Sequence, residues 1–301
     1  MSADVTQAGS SDVLVVGDVN LDVLVRPEQP IECGTDVSAD IRQGSGGAGA
    51  NVAVGLARLG RSVTLAGCVG ATDSAATTDR LLRAGVRLAL RAVSDLTTGA
   101  IVAIIDPDGE RSMASDRGAN LALRESDLPD SLIARHRHLH VSGYTLFGAG
   151  TRSAALAAIG RAIALGRTVS IDPASVAPLR HYGVANFLAD VDGVDLLLPN
   201  TAEALALSGA LDVGAAAVFL ATAFPVVAVT CGAEGAAWAD SAGLLRQPAS
   251  PRTSPVLDTT GAGDAFTAGL LAAWLSGQSP TKCLLAGQDA AADAVTRWGA
   301  Q

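Results

Sequence analysis

The chain has 301 residues, 49% of them hydrophobic and 17% charged, with a formal net charge of −9. That is ample apolar material for one large domain, and the acidic balance excludes nucleic acid and anionic membrane surfaces as partners, since both need a basic face. The one lysine, Lys282, stands in Pro280-Thr281-Lys282-Cys283, so no Gly-Lys-Ser/Thr phosphate loop exists.

Apolar runs of strand length recur at 13–16, 63–66, 101–105, 139–141, 168–171, 195–198 and 226–230. Ala/Leu-rich helical patterns occupy 50–59, 152–165, 202–207, 265–276 and 281–296. This alternation predicts an α/β fold, a mainly parallel sheet covered by helices on both faces, with ligands at the carboxyl ends of the strands. Segments 22–45 and 97–118 are half-polar, and the second contains the turn Asp106-Pro107-Asp108-Gly109. They are expected to form a small projecting sheet, a lid or an oligomer contact. Cys33, Cys68, Cys231 and Cys283 are scattered, residues 1–11 are small and polar, and Thr222 and Pro225 break the longest apolar stretch, 215–229. The expectation is a soluble cytoplasmic chain with reduced thiols.

Asn20 and Asp22 follow the first strand two residues apart, so in extended chain they share a face. An amide beside a carboxylate can bind vicinal hydroxyls; a polar turn is the other reading. Gly44-Ser45-Gly46-Gly47-Ala48-Gly49-Ala50-Asn51 then opens a helix. It permits close backbone approach, or is simply a flexible turn, and it is not a dinucleotide fingerprint because Val52 occupies the third glycine position. His136, His138 and His140 alternate and read as surface residues entering a strand, with no fourth ligand spaced for a metal.

Asn200 and Glu203 lie three apart at a helix start, either ordering waters around magnesium or forming a capping box. Thr230, Gly232 and Gly235 end an apolar strand in a glycine turn, suited to a nucleotide phosphate or to a turn alone. The most informative segment is Asp258-Thr259-Thr260-Gly261-Ala262-Gly263-Asp264 before the 265–276 helix. Gly261, Ala262 and Gly263 would present helix-start amides to an anion, with Asp264 as a base one turn away. A phosphate cradle beside a fixed carboxylate points to phosphoryl transfer onto a hydroxyl. An ordinary capped turn is the alternative.

In this order and spacing the segments Asn20-Leu21-Asp22, Gly46 to Asn51, Asn200 to Glu203, Thr230-Cys231-Gly232 and Asp258 to Asp264 resemble the ribokinase, or PfkB, family of carbohydrate kinases over nearly the whole chain. The resemblance implies a ribokinase-like three-layer sandwich, a single domain over 1–301 with 22–45 and 97–118 as its lid. It implies Asp264 as general base and Gly261, Ala262 and Gly263 as the anion hole. Asn20, Asp22, Gly46, Gly47 and Asn51 would bind the sugar. Thr230, Gly232 and Gly235 would line the ATP site, while Asn200 and Glu203 order the Mg2+ shell.

The terminal stretch 294–301 also looks like the ribokinase end, and implies K+ held by Asp258 and by carbonyls of Thr260, Ala294 and Gly299. The expected activity is ATP-dependent phosphorylation of a small sugar, pentose or hexose, by a homodimer. A nucleoside kinase acting on adenosine or pseudouridine, and a catalytically silent sugar-binding protein, are the alternatives. A sugar-phosphate acceptor would need an arginine such as Arg42, Arg111 or Arg117.

Overall fold

Along the first strand the side chains divide between two cores, Leu14 and Val16 on one side and Val13 and Val15 on the other, all fully buried. That division is possible only for a strand covered on both faces. The computed structural model describes residues 11–105, 111–249 and 255–300. In chain order the elements are β1 (Ser11–Val16), β2 (Asn20–Pro27), β3 (Ala39–Gly46), α1 (Ala48–Arg58), β4 (Val63–Gly70), α2 (Ala75–Arg83), β5 (Arg87–Val93), β6 (Gly99–Ile105) and β7 (Arg111–Asp116). Then come α3 (Asp130–Ala134), β8 (His136–Ser142), α4 (Ala149–Ala164), β9 (Thr168–Asp172), α5 (Val176–Tyr182), α6 (Val184–Asp190), β10 (Leu196–Leu197), α7 (Thr201–Ser208) and α8 (Val213–Leu220). The chain closes with β11 (Val226–Thr230), β12 (Ala236–Asp240), β13 (Gly243–Gln247), α9 (Ala262–Trp274) and α10 (Pro280–Ala294).

The large sheet has nine strands in the order β13-β12-β11-β10-β9-β8-β1-β4-β5. It is parallel from β11 to β5, and β12 and β13 add an antiparallel edge. Helices α4, α6, α7 and α8 bury Ala158, Phe187, Leu207 and Ala217 on one face. Helices α1, α2, α9 and α10 bury Leu56, Leu81, Leu270 and Leu284 on the other. The result is a three-layer sandwich.

Segments 22–45 and 97–118 supply most of a separate four-stranded sheet, ordered β3-β2-β6-β7. The Asp106-Pro107-Asp108-Gly109 turn lies outside the described residues. No single helix among the described residues is long and apolar enough to cross a membrane; only the bent pair α7 and α8 reaches that length jointly.

The three histidines of β8 correct the sequence expectation. His136, His138 and His140 are buried, because β8 lies between β1 and β9 in the middle of the sheet. Hydroxyls and a carbonyl satisfy them: His136 meets Thr64 Oγ1 at 2.9 Å and the Leu132 carbonyl at 2.7 Å, and His138 and His140 share Ser170 Oγ at 2.8 and 2.9 Å. Burial pushes His138 and His140 down to about 3, so both stay neutral. Sequence reading also passed over β5, whose Arg87-Leu88-Ala89-Leu90-Arg91 reads equally as helix, and α8, hidden inside the 215–229 apolar run.

Candidate active site

A cleft of about 300 Å3 opens between the carboxyl ends of the large sheet and the small sheet. Asn20, Asp22, Gly47, Asn51, Asn200, Glu203, Thr230, Thr260, Gly261, Gly263 and Asp264, widely separated in sequence, all line it. Asn200 and Thr230 stand at the carboxyl ends of β10 and β11 of the parallel sheet, Asn20 and Asp22 lie on β2 and Gly47 follows β3 of the small sheet, and Thr260 to Asp264 open α9, so the cleft forms where the two sheets meet.

The N-terminus of α9 forms the deepest wall. Gly261, its N-cap, has φ 73°, and a Cβ there would stand 2.6 Å from that of Ala300. Glycine therefore both permits the left-handed turn and lets the C-terminal segment close behind it. Asp264 sits in the first helical turn, where amides have no intrahelical carbonyl to meet. Asn51 Nδ2 donates to Asp264 Oδ2 at 2.7 Å, linking the first turn of α1 to that of α9. Burial, then the nearby charge of Asp172, pushes the Asp264 carboxyl up to about 7, against the lowering effect of the Asn51 bond. A carboxyl poised there suits a base that must take a proton near neutrality.

Across the cleft, Asn120 Nδ2 donates to Asn20 Oδ1 at 2.8 Å, while its own Oδ1 accepts from the Val19 amide at 2.9 Å. This orientation leaves the Asn20 NH2 as a donor toward the cleft. Asp22 is 6% exposed and its Oδ1 has no hydrogen-bond partner among the described residues. Burial, followed by repulsion from Asp258, pushes it up to about 6. Gly46 is packed so tightly on this carboxylate that a Cβ would lie 2.0 Å from Asp22 Oδ2.

At the third wall the capping-box reading is realised. Glu203 N donates to Asn200 Oδ1 at 2.9 Å, and Asn200 N and Nδ2 donate back to Glu203 at 2.9 and 2.7 Å. Burial and then the Asp172 charge raise the Glu203 pKa; burial raises that of Asp172 as well. Several crowded carboxylates form a hard oxygen donor set, the chemistry magnesium prefers, although no group of three makes a cage among the described residues. Gly232 and Gly235 are not among the cleft's lining residues. They flank Cys231 and Glu234, which line a neighbouring cavity of about 440 Å3 with Thr201 and Arg246.

Asp258 is 5% exposed and lies behind the cleft. It accepts from Thr260 N at 2.8 Å, Thr260 Oγ1 at 2.7 Å and Gly299 N at 3.0 Å. The Ala294 carbonyl accepts from Arg297 N at 3.2 Å. Thus Asp258, Thr260 and Gly299 form one knot, with Ala294 beside Gly299 on a small adjoining cavity.

Sequence reading missed Asp172, Asp18 and Tyr144, all of which line the cleft. Asp172 ends a strand that was recognised, and the carboxyl-end rule points to it. The φ of 73° at Ala174, beside it, has no signal in the sequence. Arg117 was weighed as a phosphate partner, but the fold commits it. Its Nη2 holds Asp18 at 2.9 and 3.1 Å, and its Nη1 donates to the Tyr144 carbonyl at 2.9 Å.

Residues 10–301 match the sequence model described as pfkB family carbohydrate kinase. The chain is 34% identical over 270 residues to the ATP-dependent ribose-1-phosphate kinase of Halopiger xanaduensis, covering 88% of this chain and 85% of that protein. It is 32% identical over 286 residues to a fructokinase of Salmonella typhimurium, covering 90% and 87%. Among solved structures, the adenosine kinase from Sinorhizobium meliloti aligns with a TM-score of 0.88 at 27% identity, over 97% of this chain and 96% of that one.

Proposed function

The chain belongs to the pfkB family of carbohydrate kinases and is an ATP-dependent kinase of that class, and we propose that it phosphorylates a small sugar held by Asn20 and Asp22. The observation that carries this reading is the Asn51-oriented Asp264 on the first turn of α9, in one cleft with a hydroxyl-binding donor and acceptor.

In the proposed reaction the acceptor hydroxyl lies between Asp22 and Asp264. Asp264 takes its proton while the hydroxyl oxygen forms a bond to the terminal phosphorus of ATP. The bond from that phosphorus to the bridging oxygen breaks, and ADP leaves with the electron pair. Phosphoryl transfer needs mainly positioning and charge stabilisation. Here the positioning falls to Asn20, Asp22 and the close-packed Gly46 and Gly47, and the stabilisation to the Gly261, Ala262 and Gly263 turn with the α9 dipole behind it.

Thr230 stands between the cleft and the cavity lined by Cys231 and Glu234, where Gly232 and Gly235 would admit the rest of the nucleotide. Magnesium, when bound, would neutralise phosphate charge, and Glu203 with Asn200 would hold its water shell. Potassium would sit by Asp258, Thr260, Ala294 and Gly299.

We read the small sheet as a lid over a single 1–301 domain. Ile41 and Val102, 60% and 37% exposed, make part of its outward face apolar, which supports a homodimer. Light scattering at working concentration tests that, and a monomer removes it. A cytoplasmic location accords with the free thiols of Cys33, Cys68, Cys231 and Cys283.

A nucleoside acceptor is the second reading. The lid strands carry no aromatic ring, but Tyr144 lines the cleft and offers a face to a base. ADP release measured across sugars, sugar phosphates and nucleosides decides. Release above the ATPase background with no member of the panel would sink the acceptor assignment.

A further inference from the structure

Along β2 the side chains of Asn20, Asp22, Leu24 and Arg26 alternate onto one face. The first two reach the cleft, while Leu24 and Arg26 meet the C-terminal segment. Arg26 Cζ lies 4.0 Å from the centre of the Trp298 ring, and Arg42 Cζ, on the neighbouring strand β3, lies 5.5 Å from it. Both distances are those of a cation–π contact. Arg42 is held by Asp40 at 2.8 Å, the residue opposite Arg26 in the β2–β3 register. Leu24 completes the contact, since a Cβ on Gly299 would stand 3.8 Å from Leu24 Cδ1.

From Trp298 the chain runs directly into the wall that carries Asp264. Gly299 N donates to Asp258 Oδ2 at 3.0 Å, and the other oxygen of that carboxylate accepts from Thr260 N and Oγ1 at 2.8 and 2.7 Å. Ala300 then backs Gly261, the N-cap of α9, so closely that a Cβ on the glycine would lie 2.6 Å from that of Ala300. The segment from Trp298 to Ala300 thus touches the small sheet at one end and the Gly261 turn at the other. Both ends matter to transfer, because a misplacement of about 1 Å between reacting groups costs on the order of a hundredfold in rate.

We propose that Trp298 is a positioning residue: clasped by Arg26 and Arg42, it ties the strand that carries Asn20 and Asp22 to the turn that carries Gly261 and Asp264. The proposal rests on the kinase reading above for what the two ends hold. A strap of this kind differs from plain packing in needing a π face on Trp298, which phenylalanine keeps and leucine, also bulky and apolar, does not.

The first test needs no ligand. Hydrogen exchange over residues 258–266 is compared in the wild type, Arg26→Ala, Trp298→Leu and Trp298→Phe. Arg26 is exposed and lies on the small sheet, away from that peptide in sequence. Arg26→Ala and Trp298→Leu should each speed exchange there by at least about threefold, and Trp298→Phe by less than about twofold. Arg26→Ala should add less than about twofold on top of Trp298→Leu, because both break one connection. An effect of Arg26→Ala confined to residues 20–46 overturns the proposal, as does equal loss of protection with leucine and phenylalanine. Arg26→Ala carries the comparison alone should Trp298→Leu fail to fold.

Calorimetry then reads the positioning itself, with MgADP and the magnesium complex of β,γ-imido-ATP as probes. Only the second carries a terminal phosphate to the Gly261 turn. Trp298→Leu should weaken it by at least about threefold relative to MgADP. An unchanged ratio overturns the positioning role, whatever happens to thermal stability. If the wild type binds neither nucleotide, the kinase reading fails, and hydrogen exchange alone decides the strap.

Discussion

Asn51 and Asp264 stand 213 residues apart in sequence, yet the Asn51 amide donates to the Asp264 carboxylate at 2.7 Å. The bond turns one carboxylate oxygen toward Asn51 and orients the group in the cleft. It also favours the ionised form, opposing the burial that raises the pKa.

Replacing Asp264 by Asn removes the proposed base while keeping the shape. The expected loss in kcat is about 10² to 10⁴, with nucleotide affinity retained. In the wild type, kcat/KM should climb with pH and level off above about 7, where Asp264 is ionised. Stability runs the other way. The folded carboxyl holds its proton up to about 7 against an ordinary value of 3.8, so this contribution is full below pH about 4 and is lost as pH rises through 7. Asp264→Asn should therefore gain thermal stability relative to wild type at pH 8 more than at pH 5. Unchanged turnover in the folded variant would defeat the assignment.

Asn51→Ala separates positioning from packing. Losing a charge-assisted donor, worth about 1.5–3 kcal/mol, should move the acid limb of the kcat/KM profile upward by about one to two pH units. A variant with lower stability but an unmoved limb would show that Asn51 serves the fold alone.

Asp22→Ala and Gly46→Ala should behave alike. The second places a methyl where the Asp22 carboxylate lies, 2.0 Å from Oδ2, and must displace it. Both should weaken acceptor binding by roughly 1.5–3 kcal/mol, about ten- to hundredfold, with nucleotide binding intact. Calorimetry showing nucleotide lost and acceptor kept would reverse the two halves of the site.

Asn200→Ala removes the side-chain cap of α7 and should cost about 1 kcal/mol of stability. If the pair also orders the magnesium shell, the Mg2+ concentration for half-maximal rate rises too. Lower stability at an unchanged Mg2+ requirement would leave the capping box as the whole of its role.

Potassium should stimulate turnover without being essential. Most of the proposed ligands are carbonyls, and a cation beside Asp258 would reinforce the positive end of α9. Identical rates in KCl and choline chloride at equal ionic strength would remove that site.

Strand and helix periodicity sufficed for the α/β layering, because the central strands of the large sheet are mostly apolar on both faces and most covering helices repeat on their own. The glycine turn before Asp264 and the Asn20–Asp22 pair were equally visible, since their chemistry lies in neighbouring residues. Contacts between distant segments were not. That His138 and His140 are buried follows from β8 lying between β1 and β9, a matter of strand order on which a local pattern is silent. Arg117 reads in sequence as a free cation and is in the fold the partner of Asp18; the Asn51–Asp264 bond, and the stacking of Arg26 and Arg42 on Trp298, likewise join residues far apart in the chain. Local sequence determined which chemistry each loop carries. Tertiary structure alone decided which charges meet, because pairing depends on distances of a few ångströms that only the packed sheet and helices set.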